Sequence, residues 1–282
     1  MKILVTGAAG QLGSAVVARF QRSGNHEVIA ADRSVMDLAD REAILQTITN
    51  AKPDAIVHSG AYTAVDACET EVDTAFRVNA LSTRHVVDAA ARVNARVLYV
   101  STDYVFDGRK VGAYTEWDDV NPQTVYGRSK LGGEREMRTE DTIVRTSWVF
   151  GRNGKNMVKT VLRLIENNPE LAFVDDQHGK PTCAEDLAET IYDLTVGQVP
   201  GLFHVTNAGP TTWFGFVQDV LRLVGEDPDR VKPVATADLA SKYPAPRPAN
   251  SVLDNAALRL SGLPELRHYT EALAETLKAI RS

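Results

Sequence analysis

Hydrophobic residues follow two alternating patterns through the first half of the chain. Short, nearly continuous apolar runs are separated by longer segments whose apolar residues recur at helical spacing. The runs are KILVT (2–6), EVIAA (27–31), AIVHS (55–59), RVLYVS (96–101) and TIVRTSW (142–148). Continuous apolar runs are typical of strands that are buried on both faces. The pattern therefore predicts a doubly wound α/β domain, in which helices cover both faces of a parallel sheet.

The second half of the chain has a different pattern, in which loops rich in Gly, Pro and Asp interrupt the helices. Helices are predicted near 154–167, 184–196 and 213–224. We predict a sheet domain over 1–150 and a smaller lobe over 151–181 and 207–282. The run LFHVT (202–206) is strand-like, and residues 182–206 are expected to rejoin the sheet domain.

Composition narrows the possible classes of function. The 282 residues are 44% hydrophobic and 24% charged, with a formal net charge of −6. This balance indicates no nucleic-acid partner, and no apolar run approaches the ~20 residues of a membrane-spanning helix. Because the initial MKILVTG is already a strand, we expect no leader peptide and a cytoplasmic location. Cys68 and Cys183 lie far apart, as expected for buried free thiols in a reducing compartment.

A glycine-rich turn, TGAAGQLG (6–13), directly follows the first strand and opens the first helix. Gly7 can make a tight turn, Gly10 lets the backbone approach a pyrophosphate, and Gly13 allows close packing of the helix on the sheet. The positive end of the helix then faces the phosphates. In this context the turn predicts a dinucleotide-binding site, and residues 1–150 are the dinucleotide-binding domain.

Two charged residues end the second strand and bear on the choice of dinucleotide. The carboxylate of Asp32 can accept hydrogen bonds from an adenosine ribose, whereas the guanidinium of Arg33 can hold a 2′-phosphate. NADP(H) and NAD(H) therefore both remain open at this point.

The segment VYGRSK (125–130) carries candidate chemistry at the same rim of the sheet. Its helical spacing brings Tyr126 and Lys130 to one face, one turn apart, and Thr102 reaches the rim from the preceding strand. Hydride addition to a ketone leaves negative charge on the oxygen, so a proton donor is needed. We expect Tyr126 to donate the proton, Lys130 to ease ionisation of Tyr126 and bind the ribose, and Thr102 to hydrogen-bond the carbonyl.

Further motifs extend over nearly the whole chain. They are AYTAVDACE (61–69), VNALST (78–83), STDYVFDG (101–108), VYGRSKLGGE (125–134), RTSWVFG (145–151), DDQHGKPT (175–182) and RPANSVLD (247–254). Together with TGxxGxxG and YxxxK, they resemble the extended short-chain dehydrogenase/reductases and, within them, the dTDP-4-dehydrorhamnose reductase family. The resemblance implies NADPH-dependent reduction of the C4 ketone of dTDP-4-dehydro-L-rhamnose to dTDP-L-rhamnose, with NADH as the alternative cofactor.

The resemblance also implies roles for individual residues. Positions that match the family's cofactor contacts are Gly10, Gln11, Leu12, Asp32, Asp37, Leu38, Ala61, Tyr62 and Thr63. Positions that match its contacts to the sugar nucleotide are Thr102, Asp103 and Trp148. Related reductases hold an active-site water or a carbonyl with an Asn at the position of Asn79.

Side-chain chemistry supports one of these substrate contacts, Trp148, and indicates another, Arg247. An aromatic ring such as Trp148 at the rim of a sheet can pack on a sugar. The planar fork of Arg247 suits the diphosphate of a sugar nucleotide. We therefore expect Trp148 and Arg247 to bind the substrate.

Other functions use the same scaffold. Sugar-nucleotide dehydratases carry Thr-Asp-Glu, whereas Tyr104 follows Asp103 here, which favours simple reduction. A reductase of another 4-keto-6-deoxy sugar nucleotide and a non-catalytic regulator, similar to the β subunit of methionine adenosyltransferase, both remain open. No metal site is predicted from residue spacing. The Mg²⁺ dependence described for some family members stays open, as does the choice between monomer and homodimer.

Overall fold

A six-stranded parallel sheet forms the centre of the protein in the computed structural model, which describes residues 1–239 and 243–281. The strands are β1 (Lys2–Thr6), β2 (Glu27–Ala31), β3 (Ala55–His58), β4 (Arg96–Thr102), β5 (Thr142–Thr146), β6 (Val149–Phe150), β7 (Leu171–Val174), β8 (His178–Gly179), β9 (Thr182–Cys183), β10 (Gly201–His204), β11 (Asn207–Ala208), β12 (Thr211–Thr212), β13 (Val231–Val234) and β14 (Leu266–His268). The order in the central sheet is β10-β5-β4-β3-β1-β2. Lys242, which begins the proline-rich segment KYPAPRPANS, lies outside the described residues.

Helices follow most of these strands. They are α1 (Gln11–Ser23), α2 (Arg41–Ala51), α3 (Val65–Cys68), α4 (Val72–Phe76), α5 (Ser82–Val93), α6 (Val125–Glu134), α7 (Met157–Asn167), α8 (Ala184–Val196), α9 (Trp213–Val224), α10 (Ala256–Leu260) and α11 (Tyr269–Arg281). The alternation of strands and helices confirms the predicted doubly wound α/β class.

Alternate residues of the central strands point to opposite faces and make two core layers. Ile3 and Val57 belong to the layer with α1 and α8, whereas Leu4, Ile56 and Val97 belong to the layer with α2 and α5. Full burial of each such side chain contributes about 1.5–3 kcal/mol. The continuous apolar runs in the sequence arise because both faces of the sheet are covered.

The predicted strand near residues 202–206 is confirmed. It forms β10, which pairs with β5 in parallel and extends the sheet at one edge. A separate apolar cluster lies in the other part of the chain and includes Val161, Phe216, Val220 and Leu273. The boundary between the sheet domain and the lobe stays a prediction.

Residues 71–93 do not form one continuous helix. A single turn of π-helix, Arg77–Leu81, lies between α4 and α5. Such turns widen a helix locally and are frequent at functional sites. The buried side chain of Asn79 comes from this turn.

Candidate active site

A cavity of about 1090 Å³ opens at the carboxyl edge of the central sheet. Its walls come from the glycine-rich turn, the ends of β4 and β5, helix α6 and segments of the lobe. The predicted site residues that line it are Gly7, Gly10, Gln11, Leu12, Gly13, Asp32, Arg33, Ala61, Thr63, Thr102, Asp103, Tyr126, Lys130, Trp148 and Arg247. Segments far apart in the sequence thus meet around one volume, as expected for a parallel α/β sheet.

The glycine-rich turn leaves no room for side chains at two positions. Gly7 has a φ of +64°, and a Cβ on it would lie 2.7 Å from Cα of Gly60. A Cβ on Gly13 would lie 2.1 Å from the carbonyl oxygen of Gly7. Gly13 therefore packs on the turn itself, rather than on the sheet face that its spacing suggested. The bare backbone beside the N-terminus of α1 fits a dinucleotide pyrophosphate.

The end of β2 bears on the adenosine end of that site. Oδ1 of Asp32 accepts hydrogen bonds from the hydroxyl of Ser34 at 2.6 Å and from the backbone N–H of Ser34 at 2.8 Å. The hydroxyl and then the backbone N–H lower the pKa of Asp32, so the carboxylate is charged at neutral pH. Arg33 is exposed and lies 3.5 Å from Asp37. Asp32 and Arg33 both line the cavity, and the structure is compatible with either dinucleotide.

Three predicted cofactor contacts do not line the cavity. They are Asp37, Leu38 and Tyr62. Oδ1 of Asp37 accepts from the backbone N–H of Ala39 at 2.9 Å, and Leu38 packs against Gly60, where a Cβ would lie 2.6 Å from its Cδ1. Leu38 thus contacts the segment after β3 that lies beside the glycine-rich turn.

Asn79 fixes residues 61–63, which we name the cofactor segment because they are predicted to contact the cofactor. Its Oδ1 accepts from the backbone N–H of Tyr62 at 2.7 Å, and its Nδ2 donates to the carbonyl of Tyr62 at 3.0 Å and to Oγ of Ser129 at 2.9 Å. The side chain therefore clamps the segment that contains Ala61 and Thr63 to helix α6. The resemblance implies a contact of this Asn with an active-site water or a carbonyl, and the carbonyl that Asn79 contacts is that of Tyr62.

A buried hydrogen-bond chain connects the same segment to the sheet. The backbone N–H of Gly60 donates to Thr6, whose hydroxyl lies 2.8 Å from Nδ1 of His58. Nε2 of His58 lies 3.2 Å from Thr83, which donates to the carbonyl of Asn79. Burial lowers the pKa of His58 to about 3, so the ring is neutral. Since Thr83 donates onward, Nε2 carries the proton and Nδ1 accepts from Thr6.

Tyr126 lies at the floor of the cavity, in the first turn of α6. The hydroxyl of Thr124 caps this helix by accepting from the N–H of Gly127 at 2.9 Å, and the ring of Tyr104 meets that of Tyr126 edge-on at 5.6 Å. Burial raises the pKa of Tyr126 above its ordinary value, while a hydrogen bond with Thr102 acts to lower it. The phenol is therefore protonated at neutral pH.

Lys130 lies one turn further along α6 and is buried at the cavity wall. Its Nζ donates to the carbonyl of Val100 at 2.7 Å and lies 4.0 Å from the centre of the Tyr99 ring. Burial lowers the pKa of Lys130 to about 7, against the opposing charge of Glu134. The largest shift in the pKa of Tyr126 comes from its burial. Smaller shifts come from Thr102 and then from Asp103.

The sequence reasoning missed a buried ion pair beneath these two residues. Arg145 of β5 grips Glu134 with both nitrogens of its fork, at 2.8 and 2.7 Å, and the hydroxyl of Ser101 donates to Glu134 at 2.5 Å. Removing one partner of such a pair costs about 3–5 kcal/mol, because a charge is left buried alone. The pair fixes the end of α6 to β4 and β5. The only sequence signal was the presence of charged residues in otherwise apolar segments.

Asp103 is a buried carboxyl group in the cavity wall. Burial raises its pKa to about 6, although the nearby hydroxyls of Ser251 and Thr102 act in the opposite direction. The hydroxyl of Thr102 lies 3.0 Å from Oδ1, while Oδ2 has no hydrogen-bond partner in the protein. An unsatisfied buried acceptor at this place fits a hydroxyl group of a ligand.

Trp148 meets another tryptophan rather than open space on one face. The indole of Trp213 stacks on it with ring centres 3.8 Å apart and planes within 7°. Gly179 lies against Trp148, since a Cβ there would come within 2.4 Å of its Cε2. Both tryptophans line the cavity. Trp213 is a candidate substrate contact that sequence spacing could not reveal, because it joins Trp148 from a distant segment.

Arg247 lines the cavity with part of its fork already engaged. Its Nη2 lies 2.5 Å from Asp66, and its Nη1 donates to the carbonyl of Ala245 at 3.2 Å. The pairing with Asp66 holds the loop of Arg247 against α3. The carboxylate of Asp66 also neutralises part of the positive charge of Arg247, which we predicted to bind the diphosphate of the substrate.

Residues 1–239 and 243–281 contain neither a membrane-spanning helix nor a cluster of metal-ligating side chains. No helix in these ranges combines the length and the apolar character that crossing a membrane requires. No group of three or more His, Cys, Asp or Glu side chains there has the geometry of a metal site.

The fold and the cavity define a class. A glycine-rich turn at the first strand of a doubly wound parallel sheet, with the Thr-Tyr-Lys set at the same edge, is the arrangement of an extended short-chain dehydrogenase/reductase.

Comparison with known proteins narrows the class. The model of the RmlD substrate binding domain family matches residues 1–282. A dTDP-4-dehydrorhamnose reductase of Streptomyces griseus is 40% identical, with 98% of this chain and 93% of that protein covered. A solved dTDP-4-dehydrorhamnose reductase of Clostridium acetobutylicum is 38% identical with a TM-score of 0.96, and both chains are covered completely. One from Bacillus anthracis in complex with NADP is 33% identical with a TM-score of 0.93 over 98% of both chains.

The chain belongs to the dTDP-4-dehydrorhamnose reductase family and is an oxidoreductase.

Proposed function

We propose that the protein reduces the C4 ketone of dTDP-4-dehydro-L-rhamnose to dTDP-L-rhamnose, with NADPH as the preferred cofactor and Tyr126 as the proton donor. The observation that carries this proposal is the position of Tyr126. Its protonated phenol lies in the same cavity as Thr102 and the glycine-rich turn. The names of the relatives and the NADP complex of the Bacillus anthracis protein support the substrate and the cofactor.

The cofactor would be held by groups along one wall of the cavity. The backbone at the start of α1 would bind its pyrophosphate, Asp32 or Arg33 its adenosine ribose, and Lys130 its nicotinamide ribose. When bound, the nicotinamide supplies the hydride. Lys130 has a pKa of about 7, so its protonation state responds readily to a nearby hydroxyl or phenol.

Proton transfer would run through Tyr126. The buried phenol keeps its proton at neutral pH, and an alkoxide formed on the sugar is basic enough to take it. The hydroxyl of Thr102 would hold the same oxygen in line with the phenol, which favours the transition state over the bound ketone. A charged Lys130 would stabilise the phenolate that remains.

The sugar nucleotide would occupy the part of the cavity that the lobe closes. The free oxygen of Asp103 would accept a bond from a sugar hydroxyl, and the stacked pair of Trp148 and Trp213 offers an apolar wall to a ring. Arg247 would contribute the nitrogens not engaged by Asp66 to the diphosphate.

Replacing Tyr126 with Phe tests the proton donor directly. We expect Tyr126→Phe to bind NADPH as well as the wild type does and to lose at least about 100-fold in the rate of reduction. Stopped-flow absorbance of NADPH with the keto sugar measures the rate, and calorimetry measures the binding. Tyr104→Phe, which keeps a neighbouring ring of the same size, is the matched control. A Tyr126→Phe rate within a few fold of the wild type would refute the assignment.

Two alternatives are separated by substrate assays. A reductase of another 4-keto-6-deoxy sugar nucleotide would consume NADPH faster with that sugar, and product analysis would give the configuration at C4. A non-catalytic regulator would bind the cofactor tightly without oxidising it. A cytoplasmic location and a monomeric or homodimeric state remain parts of the proposal.

A further inference from the structure

The loop between β6 and α7 reaches across to the glycine-rich turn. We name residues 151–156 the bridging loop. The side-chain amide of Asn153 donates to Oγ of Ser14 at 3.2 Å, and Gln11 donates from its Nε2 to the carbonyl of Val149, just before the loop, at 2.9 Å. The loop is therefore attached to the first turn of α1 from both of its sides.

Gly154 brings the backbone of the loop into direct contact with α1. Its φ is +68°, and a Cβ on it would lie 3.1 Å from Cβ and 3.3 Å from N of Gln11. The left-handed conformation and the close approach both favour glycine at this position. The next residue, Lys155, is consequently held beside the helix end that the proposed function assigns to the cofactor.

Lys155 is exposed and lines the cavity. Among the described residues it makes no ion pair, whereas the other cations of the cavity wall are engaged. Arg33 lies near Asp37, Arg247 is paired with Asp66, and Lys130 donates to the carbonyl of Val100. Lys155 is thus the cation of the cavity wall that has no ion-pair or hydrogen-bond partner among the described residues, and its whole charge is available to a ligand.

The first turn of α1 needs such a charge. Its residues Gln11 to Ser14 are all uncharged, so the helix end offers N–H groups and a partial positive charge of about one half to a pyrophosphate that carries two negative charges. A flexible ammonium at the cavity wall supplies compensating charge without a fixed geometry.

We propose that Lys155 is a ligand of the cofactor pyrophosphate, delivered to the glycine-rich turn by the bridging loop. The inference rests on the proposed function only in so far as the cavity binds a nicotinamide dinucleotide. It makes occupancy of the cofactor site depend on a residue outside the predicted dinucleotide-binding domain.

Binding measurements with three ligands test the proposal. Calorimetry on the full chain would give dissociation constants for NADPH, for NADH and for dTDP. We expect Lys155→Met to weaken NADPH and NADH by the same factor, about three- to ten-fold, and to leave dTDP unchanged. Lys155→Arg should retain most of the affinity for both dinucleotides. Lys278→Met removes an exposed lysine of α11 that does not line the cavity and should leave all three constants unchanged.

The other outcomes assign the charge elsewhere and overturn the proposal. A loss with NADPH alone would mean that Lys155 binds the 2′-phosphate, and a loss with dTDP alone would mean that it binds the substrate diphosphate. Equal affinities for wild type and Lys155→Met would show that the ammonium contacts neither. If the wild type itself bound neither dinucleotide, the cofactor assignment would fail together with this proposal. Tight dinucleotide binding without reduction would leave this proposal standing and refute the proposed activity.

Discussion

Tyr126 and Lys130 share the buried floor of the cavity, and burial moves their pKa values in opposite directions. The phenol is driven towards its protonated form and the amine towards its deprotonated form. Both shifts have the same physical cause, since the charged state of each group loses its hydration. At neutral pH the phenol is therefore protonated and the amine is near the midpoint of its titration, so a ligand that changes the local charge can change the protonation state of Lys130.

Lys130 should leave a pH signature in stability. Folding lowers its pKa from 10.5 to about 7, so at pH values between these two the unfolded chain binds the additional proton. The free energy of unfolding should then rise with pH, by up to about 1.4 kcal/mol per pH unit, and the penalty from burying the amine should be full below about pH 7.

Lys130→Met tests this effect in the absence of ligands. We expect the wild type to gain stability relative to the variant between about pH 7 and about pH 9, as measured by urea denaturation. Lys232→Met, at an exposed lysine of β13, should change stability equally at all pH values. If the stability of the wild type and that of Lys130→Met changed with pH in the same way, the pKa of Lys130 would not be lowered by burial.

Single residues also show where sequence reasoning succeeds. The convergence of Tyr126, Lys130 and Thr102 on one cavity could be predicted because helical spacing and strand ends determine where they lie, whereas their catalytic roles stay a prediction. Trp213 and Glu134 could not, since their roles depend on contacts with Trp148 and Arg145 from other segments. The position of a side chain relative to its own element is local information, whereas its partner is not.

At the scale of elements, helix α6 is fixed at both ends. Thr124 caps its start, and the pair of Glu134 with Arg145 fixes its end to the sheet. Asn79 joins its middle to the cofactor segment through Ser129. The strands and helices that surround α6 follow the hydrophobic pattern of the sequence closely. The π-helical turn at Arg77–Leu81 does not, because an apolar stripe predicts that a helix exists but not a local change in its hydrogen bonds.

The Asn79 clamp predicts a defect in cofactor binding. Asn79→Ala leaves the N–H of Tyr62 without a partner and its carbonyl with only the weak thiol donor of Cys68 at 4.0 Å, so we expect the protein to lose about 1–3 kcal/mol of stability. Because the segment Ala61 to Thr63 then loosens, NADPH should bind at least about three-fold more weakly. Thermal unfolding and calorimetry measure the two effects.

Ser129→Ala is the matched control for that clamp. It removes the bond between Asn79 and α6 and keeps both bonds to Tyr62. NADPH affinity close to that of the wild type is expected. If both variants weakened NADPH equally, the bonds to Tyr62 would not be what holds the cofactor segment.

At the scale of the whole molecule, the predicted catalytic and cofactor-binding residues lie at one edge of one sheet. Parallel strands end on the same side, so the glycine-rich turn, Thr102 and Tyr126 meet there, and the lobe closes the cavity with Trp213 and Lys155. The sheet and this edge could be predicted from the sequence, because they follow from strand order and direction. The shape of the cavity could not, since it depends on how loops of the lobe lie on α1.

We propose above all that hydride passes from the nicotinamide of NADPH to C4 of a sugar nucleotide in this cavity. The most direct measurement follows NADPH carrying deuterium at its reactive carbon, incubated with the wild-type protein and the dTDP-4-keto sugar. The account predicts that NADPH is oxidised in step with sugar reduction and that NMR finds the deuterium at C4 of the product. Tight NADPH binding without oxidation, or deuterium at any other carbon, would contradict it.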